Sequence, residues 1–351
     1  MKKLILIILF TLFFSEVCVF CEIDTSIREY PEFNEYTDEI TEGDYTNLLT
    51  KLMNNIKEAL FGEIKRSKAL LAKITVIAAV AAIIRLMNDS YAGQAAYFAV
   101  YTLLTATVLK LISEAVGYGK DVIHTISDFI TKLTPILLGL IAVSGSPTSA
   151  AAFSPVLSSA VYILTIAVDK IITPIIFISA VIGVIGSFHD KVRLTGFNKL
   201  LRSISRWLLT LMLTFFVSIC AVYGFNAPVF DALGAKTVKF AVGSMVPIVG
   251  GLLADSLETV IGGTQILKNA VGSAGMLCIV GICAIPLIKV WVILFLLKIS
   301  AAIQEPICGR ELSSMLWDAS ESVSTVFSLM TTSVMMFLIC IGIIISSTAV
   351  R

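Results

Sequence analysis

The chain has 351 residues, of which 57% are hydrophobic and only 15% are charged, and its mean hydropathy is +0.93. A water-soluble protein of this length needs more polar residues to cover its surface than this chain supplies. The formal net charge is +1, so there is no global positive field of the kind that attracts nucleic acid. The composition excludes an ordinary soluble domain and predicts a protein whose main partner is the lipid bilayer.

The N-terminus has the pattern of a secretory signal peptide. Two lysines follow Met1 and precede the apolar run LILIILFTLFF, which is the order of the charged and apolar regions of such a signal. We predict cleavage after Cys21, so that residues 1–21 form the signal. An uncleaved signal anchor is the alternative.

Residues 22–68 are predicted to form an extracytoplasmic segment. Nine carboxylates and one arginine lie between Cys21 and Tyr45. The rest of the segment has apolar residues at helical spacing with Lys and Arg between them. This pattern is typical of an amphipathic helix that lies on a membrane surface or against a partner.

Residues 69–351 are predicted to form an all-α, polytopic integral membrane bundle with about six to nine helical segments, since a bilayer core of ~30 Å needs about 20 apolar residues in a helix. The loop 189–206 contains five Lys or Arg residues and one Asp. An excess of basic residues is typical of cytoplasmic loops, so we assign it to the cytoplasm. The segments that match a span are 69–88, 90–109, 171–188, 207–225, 269–288 and 325–348.

The stretch 133–168 contains no charged residue and is too long for one straight span but short for two. Its middle reads SGSPTSAAAFSP, and proline there removes backbone donors from a helix. Unpaired backbone must be buried in protein or line a cavity within a membrane. Two arrangements fit: a re-entrant hairpin of two half-helices, and a helix–turn–helix that reaches the far surface.

Two proline-containing stretches are similar. PILLGLIAVS at 135–144 and PIVGGLLADS at 247–256 share six of ten residues at an offset of 112. This similarity predicts a possible internal repeat, a feature of transporter folds with broken helices. The prolines that we predict to interrupt helices are Pro135, Pro147, Pro155, Pro174, Pro247 and Pro286.

Four ionisable residues are candidates for a polar pathway. Asp255 and Glu258 are three residues apart and would share one helical face. Lys268 follows at about the length of a hairpin, so an ion pair with these carboxylates is one interpretation, and a solvated surface loop is the other. Lys289 lies within an apolar stretch, where an ionisable residue is costly and usually functional, although a lysine there can also extend toward the membrane surface.

The chain contains no Walker glycine loop, no HExxH and no GxSxG. Its two histidines have no cysteine or carboxylate at ligand spacing. Most of its seven cysteines lie in apolar runs, where cysteine behaves as a small hydrophobic residue. We therefore predict no enzyme activity, no catalytic residue, no cofactor and no metal site.

Several stretches resemble the stage III sporulation protein AE family of endospore-forming Firmicutes. The most specific are KTVKFAVGSMVPIVGGLLADSLETVI (236–261), ILKNAVGSAG (266–275), IPLIKV (285–290) and LKISAAIQEPI (297–307). The resemblance implies a protein made in the mother cell and placed in the outer forespore membrane. It also implies a channel-like complex that supports late transcription by sigma factor G in the forespore.

The partners implied by this resemblance are the other stage III A proteins, including a cytoplasmic ATPase and ring-forming members, and stage II protein Q. The family supplies no catalytic residues. Two alternatives remain open from the sequence. One is a self-sufficient secondary transporter with a site between the two proline-glycine stretches, and the other is a membrane scaffold that recruits partners through residues 22–68.

Overall fold

The structure is a computed structural model that describes residues 33, 35, 36, 40, 45–85, 91–144, 146–186, 195–245, 250–308 and 310–347. Side chains in 224–260 are outside the described part. The predicted signal peptide and its cleavage site after Cys21 also lie outside the described residues.

The described residues form helices, with no strand among them, which confirms the all-α prediction. A π-helical segment, Ala167–Ile172, joins the helices Pro147–Ile166 and Thr173–Gly186 without a break. The helices are α1 (Tyr45–Arg85), α2 (Tyr91–Val143), α3 (Pro147–Ile166), α4 (Thr173–Gly186), α5 (Thr195–Met245), α6 (Gly250–Cys308) and α7 (Arg310–Ser347).

Six helical stretches are long and apolar enough to cross a membrane, which agrees with the predicted polytopic bundle. Several helices are much longer than one span. α2 has 53 residues and is therefore about 80 Å long at ~1.5 Å per residue, against a bilayer core of ~30 Å. The six stretches are Thr50–Ile84, Tyr91–Val143, Pro147–Val184, Gly196–Tyr223, Ile261–Pro306 and Glu311–Ser346.

Pairs of contacts give the relative directions of the helices. The Ser127 and Thr165 hydroxyl oxygens are 3.2 Å apart, and Tyr101 donates to the Val184 carbonyl at 2.9 Å. As the residue number on α2 rises, the residue number of its partner falls. α2 therefore runs antiparallel to α3 and α4.

α5 and α7 run in the same direction. The Phe216 and Phe337 rings pack edge to face with centroids 6.3 Å apart. One turn further along both helices, the sulfur atoms of Cys220 and Cys340 are 3.1 Å apart and buried. These cysteines fill the helix interface as small side chains, as their apolar surroundings in the sequence indicated.

The uncharged stretch 133–168 forms a helix–turn–helix. The turn is held by the Ser144 and Ser146 amides, which donate to the carbonyls of Leu140 and Ile141 at 2.9 and 3.1 Å. Pro147 is the first residue of α3, where its missing N–H costs nothing. The second arm, Pro147–Val184, has 38 residues and is about 57 Å long, so both arms continue well beyond the uncharged stretch.

Two predicted boundaries fall inside single helices. The predicted surface helix before residue 68 and the first predicted span are both part of α1. The predicted basic loop 189–206 is helical from Thr195 and continues into the next span as α5. A charged helical stretch and the apolar stretch after it therefore form one rigid rod.

The predicted helix-interrupting prolines have different local structures. Pro174 is the second residue of α4, and Pro247 lies outside the described residues. The internal repeat remains a prediction. Three of the six lie within continuous helices: Pro135, Pro155 and Pro286.

Candidate functional site in the polar interior of the bundle

A buried polar cluster joins α4, α5 and α7. The Arg202 side chain is only 7% exposed, and its Nη1 lies 3.1 Å from Asp318 Oδ1. Its Nη2 also donates to the Asp318 backbone carbonyl at 2.7 Å. A guanidinium that binds both a carboxylate and a carbonyl of the same residue fixes the position of one helix relative to the other.

Asn198 extends this cluster to α4. Its amide is satisfied at both ends when the nitrogen faces Ser179, so that it donates to the Ser179 carbonyl at 2.9 Å while its oxygen accepts from Arg202 Nη2 at 2.8 Å. Asn198 is 2% exposed. Buried polar groups that are satisfied in this way specify one arrangement of the helices.

Sequence reasoning missed the Arg202 cluster because it assigned this arginine to a basic cytoplasmic loop, at the membrane surface and outside the bundle. A signal was present, since Asn198 and Arg202 are four residues apart and share a helical face. Lys199 and Arg206 on the same helix are exposed. A basic helix with one inward-facing polar stripe is not distinguishable from a basic loop by counting charges.

Lys268 is 1% exposed, and its Nζ donates to the Ile345 carbonyl at 2.9 Å. Ile345 is in the last turn of α7, where a lysine side chain can hydrogen-bond the backbone carbonyls. A cation at the C-terminal end of a helix is also favoured by the helix dipole. The described contact of Lys268 is therefore a cap on the end of α7.

The predicted ion pair of Lys268 with Asp255 and Glu258 does not match the backbone. All three residues lie in the continuous helix α6. Glu258 precedes Lys268 by ten residues, which is about 15 Å along the axis. Direct pairing is not compatible with that rise. The side chains of Asp255 and Glu258 themselves lie outside the described residues.

Lys289 lies against α2. Its Nζ is 5.1 Å from the centroid of the Tyr118 ring, which is a cation–π distance. It is 21 residues from Lys268 on the same helix, or about 32 Å. The structure therefore places Lys268 and Lys289 at two separate helix contacts.

A second charged group lies between α2 and the π-helical segment. Asp169 Oδ2 is 3.2 Å from His124 Nε2, and Asp169 Oδ1 is 3.4 Å from Lys120 Nζ. All three side chains are partly exposed. This group lies about two turns before Lys132, the last charged residue of α2 ahead of the turn.

Two grooves with different lining residues border α3. The first has a volume of about 450 Å³, lies between α3 and α5, and is lined mostly by apolar side chains such as Ile163, Leu211 and Phe215. The second has a volume of about 530 Å³ and lies between α2 and α3. Nine of its thirteen lining residues are polar: His124, Ser127, Asp128, Thr131, Thr134, Ser154, Ser158, Tyr162 and Thr165.

Within the described part of the chain, no group of three or more His, Cys, Asp or Glu side chains is placed to hold a metal ion. The polar residues instead fall into a buried clamp at Arg202, two lysine contacts and a hydroxyl-lined groove. Such an arrangement can hold long helices in register and place a polar surface within an apolar bundle.

Comparison with known families gives the context for this arrangement. The family model described as stage III sporulation protein AE matches residues 31–348. The chain belongs to this family. A curated relative, stage III sporulation protein AE of Bacillus subtilis (strain 168), is 31% identical over 292 residues, which covers 82% of this chain and 73% of the relative. No solved structure matches.

Family membership confirms the resemblance seen in the sequence and gives this chain a role in sporulation. The family description names a sporulation protein and no reaction. The six apolar helical stretches are those of a multi-pass membrane protein. Stage III membership also indicates that other stage III sporulation proteins are its partners.

The cap on α7 gives a prediction for Lys268. We expect Lys268→Met to lower the free energy of unfolding by about 1 kcal/mol, because the substitution removes one cap while the methionine fills the same space. Thermal unfolding of the detergent-purified protein measures this change. Lys110→Met, at an exposed lysine of α2, is the control and should change little. A loss of several kcal/mol at Lys268 would contradict the capping role.

Proposed function

We propose that this chain is the membrane component of a channel-like complex that links the mother cell to the forespore during sporulation. The observation that carries the proposal is the family match over residues 31–348. Six helical stretches that suit a bilayer and a polar groove within an apolar bundle support a membrane role in passage or assembly.

In this proposal the protein is made in the mother cell and lies in the outer forespore membrane. Its partners are the other stage III A proteins, including a cytoplasmic ATPase and ring-forming members, and stage II protein Q. The complex supports forespore development and late activity of sigma factor G. The long helices extend beyond a ~30 Å bilayer core, which gives the protein helical surface outside the membrane for these partners.

The test is deletion and complementation in the native host. We expect deletion of the gene to stop sporulation after engulfment and to abolish a sigma factor G reporter, and the wild-type gene to restore both. An affinity-tagged copy should co-purify with the stage III A proteins from sporulating cells. Normal spore yield without the gene would overturn the proposal.

A flux assay distinguishes this function from that of a self-sufficient transporter. Purified alone in liposomes, the chain should move no solute, because a component of a complex needs its partners. Solute uptake by the isolated protein would favour the transporter, whose predicted site involves Pro247, outside the described residues. A deletion of residues 22–68 that alone abolishes partner binding would favour the scaffold.

A further inference from the structure

We infer that the groove between α2 and α3, hereafter the hydroxyl groove, is filled with water inside the membrane and admits hydrated cations. This inference deepens the proposed function, since it assigns the aqueous surface that a membrane-embedded channel component needs. It rests on the contrast between the two grooves that border α3, on the direction of the hydroxyl protons and on the charges at one end.

The hydroxyl groove begins at the charged level of the hairpin and continues into its uncharged part. His124 and Asp128 line one end, close to the contact of His124 with Asp169. Pro135, Ser154 and Ser158 line the groove further along, within the uncharged stretch 133–168. A polar surface therefore enters a part of the hairpin that is apolar by composition.

The opposite side of α3 shows what a lipid-facing surface looks like in this chain. Pro155, Ser159 and Ile163 line the apolar groove, and each directly follows a residue of the hydroxyl groove, namely Ser154, Ser158 and Tyr162. Neighbouring residues of one helix have almost the same depth, since each residue adds ~1.5 Å. The two grooves therefore differ in the face of α3 that lines them and not in their depth in the membrane.

The hydroxyl groups present oxygen acceptors to the groove. Thr131 and Thr134 donate their protons to the Ser127 and Ile130 carbonyls, both at 2.7 Å. Ser158 and Thr165 likewise donate to carbonyls four residues earlier, at 3.0 and 2.9 Å. Each hydroxyl has one proton and two lone pairs. Thr165 uses one lone pair to accept from the Ser127 hydroxyl, and the lone pairs of Thr131, Thr134 and Ser158 remain to accept from water or to contact a cation.

Pro135 adds a further acceptor. Proline has no N–H, so the carbonyl of Thr131 receives no helical hydrogen bond from position 135. A backbone carbonyl without its helical partner is tolerated at membrane depth only where protein or water satisfies it. Both Thr131 and Pro135 line the hydroxyl groove, so water in the groove can reach this carbonyl.

The charges at the groove end favour cations. The exposed Asp128 carboxylate lines the groove. Lys120, 3.4 Å from Asp169, and Lys132, one turn from Asp128, do not line the groove, whereas His124 does and lies 3.2 Å from Asp169. Carboxylates at a narrow entrance raise the local concentration of cations. Lone-pair acceptors along the wall then replace part of the hydration shell, as in cation pathways.

Adjacent cysteines on α3 test the inference with a matched control. Ser158→Cys places a thiol in the hydroxyl groove, and Ser159→Cys places one in the apolar groove at nearly the same depth. Both serines are exposed, so both substitutions are mild. The full-length protein in native membranes is treated with a cationic trimethylammonium-ethyl methanethiosulfonate or an anionic sulfonatoethyl methanethiosulfonate, and labelling is followed by peptide mass spectrometry.

We expect the cationic reagent to label Ser158→Cys at least about tenfold faster than Ser159→Cys, because only a thiol in contact with water forms the reactive thiolate. Thr131→Cys, on the α2 wall, should react like Ser158→Cys. Adding Asp128→Asn should slow cationic labelling of Ser158→Cys by up to about tenfold and speed anionic labelling, because the same carboxylate attracts cations and repels anions.

Equal labelling of the two adjacent cysteines would overturn the inference. So would absence of labelling at Ser158→Cys until detergent is added, since the groove would then be covered by lipid or by another protein. These failures are distinct from a failure of the proposed function. If the groove proves dry but the chain still restores sporulation and co-purifies with its partners, the inference of a water-filled groove is wrong and the proposed function stands.

Discussion

Arg202→Leu is expected to lower the free energy of unfolding by about 3–5 kcal/mol, because it removes one partner of a buried ion pair and leaves the other unpaired. The lost contacts are those with the Asp318 carboxylate and carbonyl and with the Asn198 amide. Thermal unfolding in detergent, followed by size-exclusion chromatography, should show a lower midpoint and early aggregation.

A second substitution shows whether the loss comes from the unpaired carboxylate. In Arg202→Leu/Asp318→Leu neither charge remains, so part of the lost stability should return. The Asp318 carboxylate is 27% exposed, which limits that recovery. The control pair is Lys110 and Glu114, which are 3.9 Å apart and 78% and 44% exposed. Its removal should cost less than about 1 kcal/mol. If removing either pair lowers the free energy of unfolding by a similar amount, the Arg202–Asp318 pair does not clamp α5 to α7.

The sequence predicted an all-α membrane fold because the apolar composition of each span is enough to recognise it. Segments of about 20 uncharged residues can be recognised without any partner, and segments 207–225 and 325–348 lie in α5 and α7 as expected. The extension of α5 back to Thr195 was not predictable in the same way. Its charged residues look like a loop unless one knows that Arg202 faces inward.

The contacts of the predicted residues were harder to predict than the residues themselves. Lys268 and Lys289 stood out because a charge in an apolar run is costly. Their partners are a backbone carbonyl 77 residues away and the ring of Tyr118. Neither a carbonyl nor an aromatic ring in an apolar helix is distinctive in the sequence. These partners became identifiable only in the structure, where α6 packs against α7 and α2 and residues distant in the sequence come into contact.

The hydroxyl groove shows a similar limit. The sequence predicted that the proline-containing stretch 133–168 would line a cavity or be buried in protein, because broken helices need partners for their backbone groups. It did not show that the polar residues of both arms face the same side of the hairpin. That arrangement depends on the register of α2 against α3, which the Ser127–Thr165 contact fixes.

Gly183→Ala is expected to disrupt the same clamp from the side of α4. A Cβ at Gly183 would lie 2.6 Å from the Asn198 amide, and 3.2 Å from both Arg202 Nη2 and Asp318 Cβ. All three neighbours are held by the cluster and cannot move without breaking hydrogen bonds. Overpacking of this kind costs about 1–3 kcal/mol, so the unfolding midpoint should fall and α4 should separate from α5.

Gly117→Ala is the matched control for this substitution. A Cβ there would meet nothing within 4 Å, and alanine is favoured over glycine in a helix by up to about 1 kcal/mol. The control should therefore unfold at the same temperature as the wild type or slightly higher. If Gly183→Ala and Gly117→Ala unfold at the same temperature, α4 does not pack closely against the Arg202 cluster. If only Gly183→Ala is destabilised, the cluster sets the distance between α4, α5 and α7.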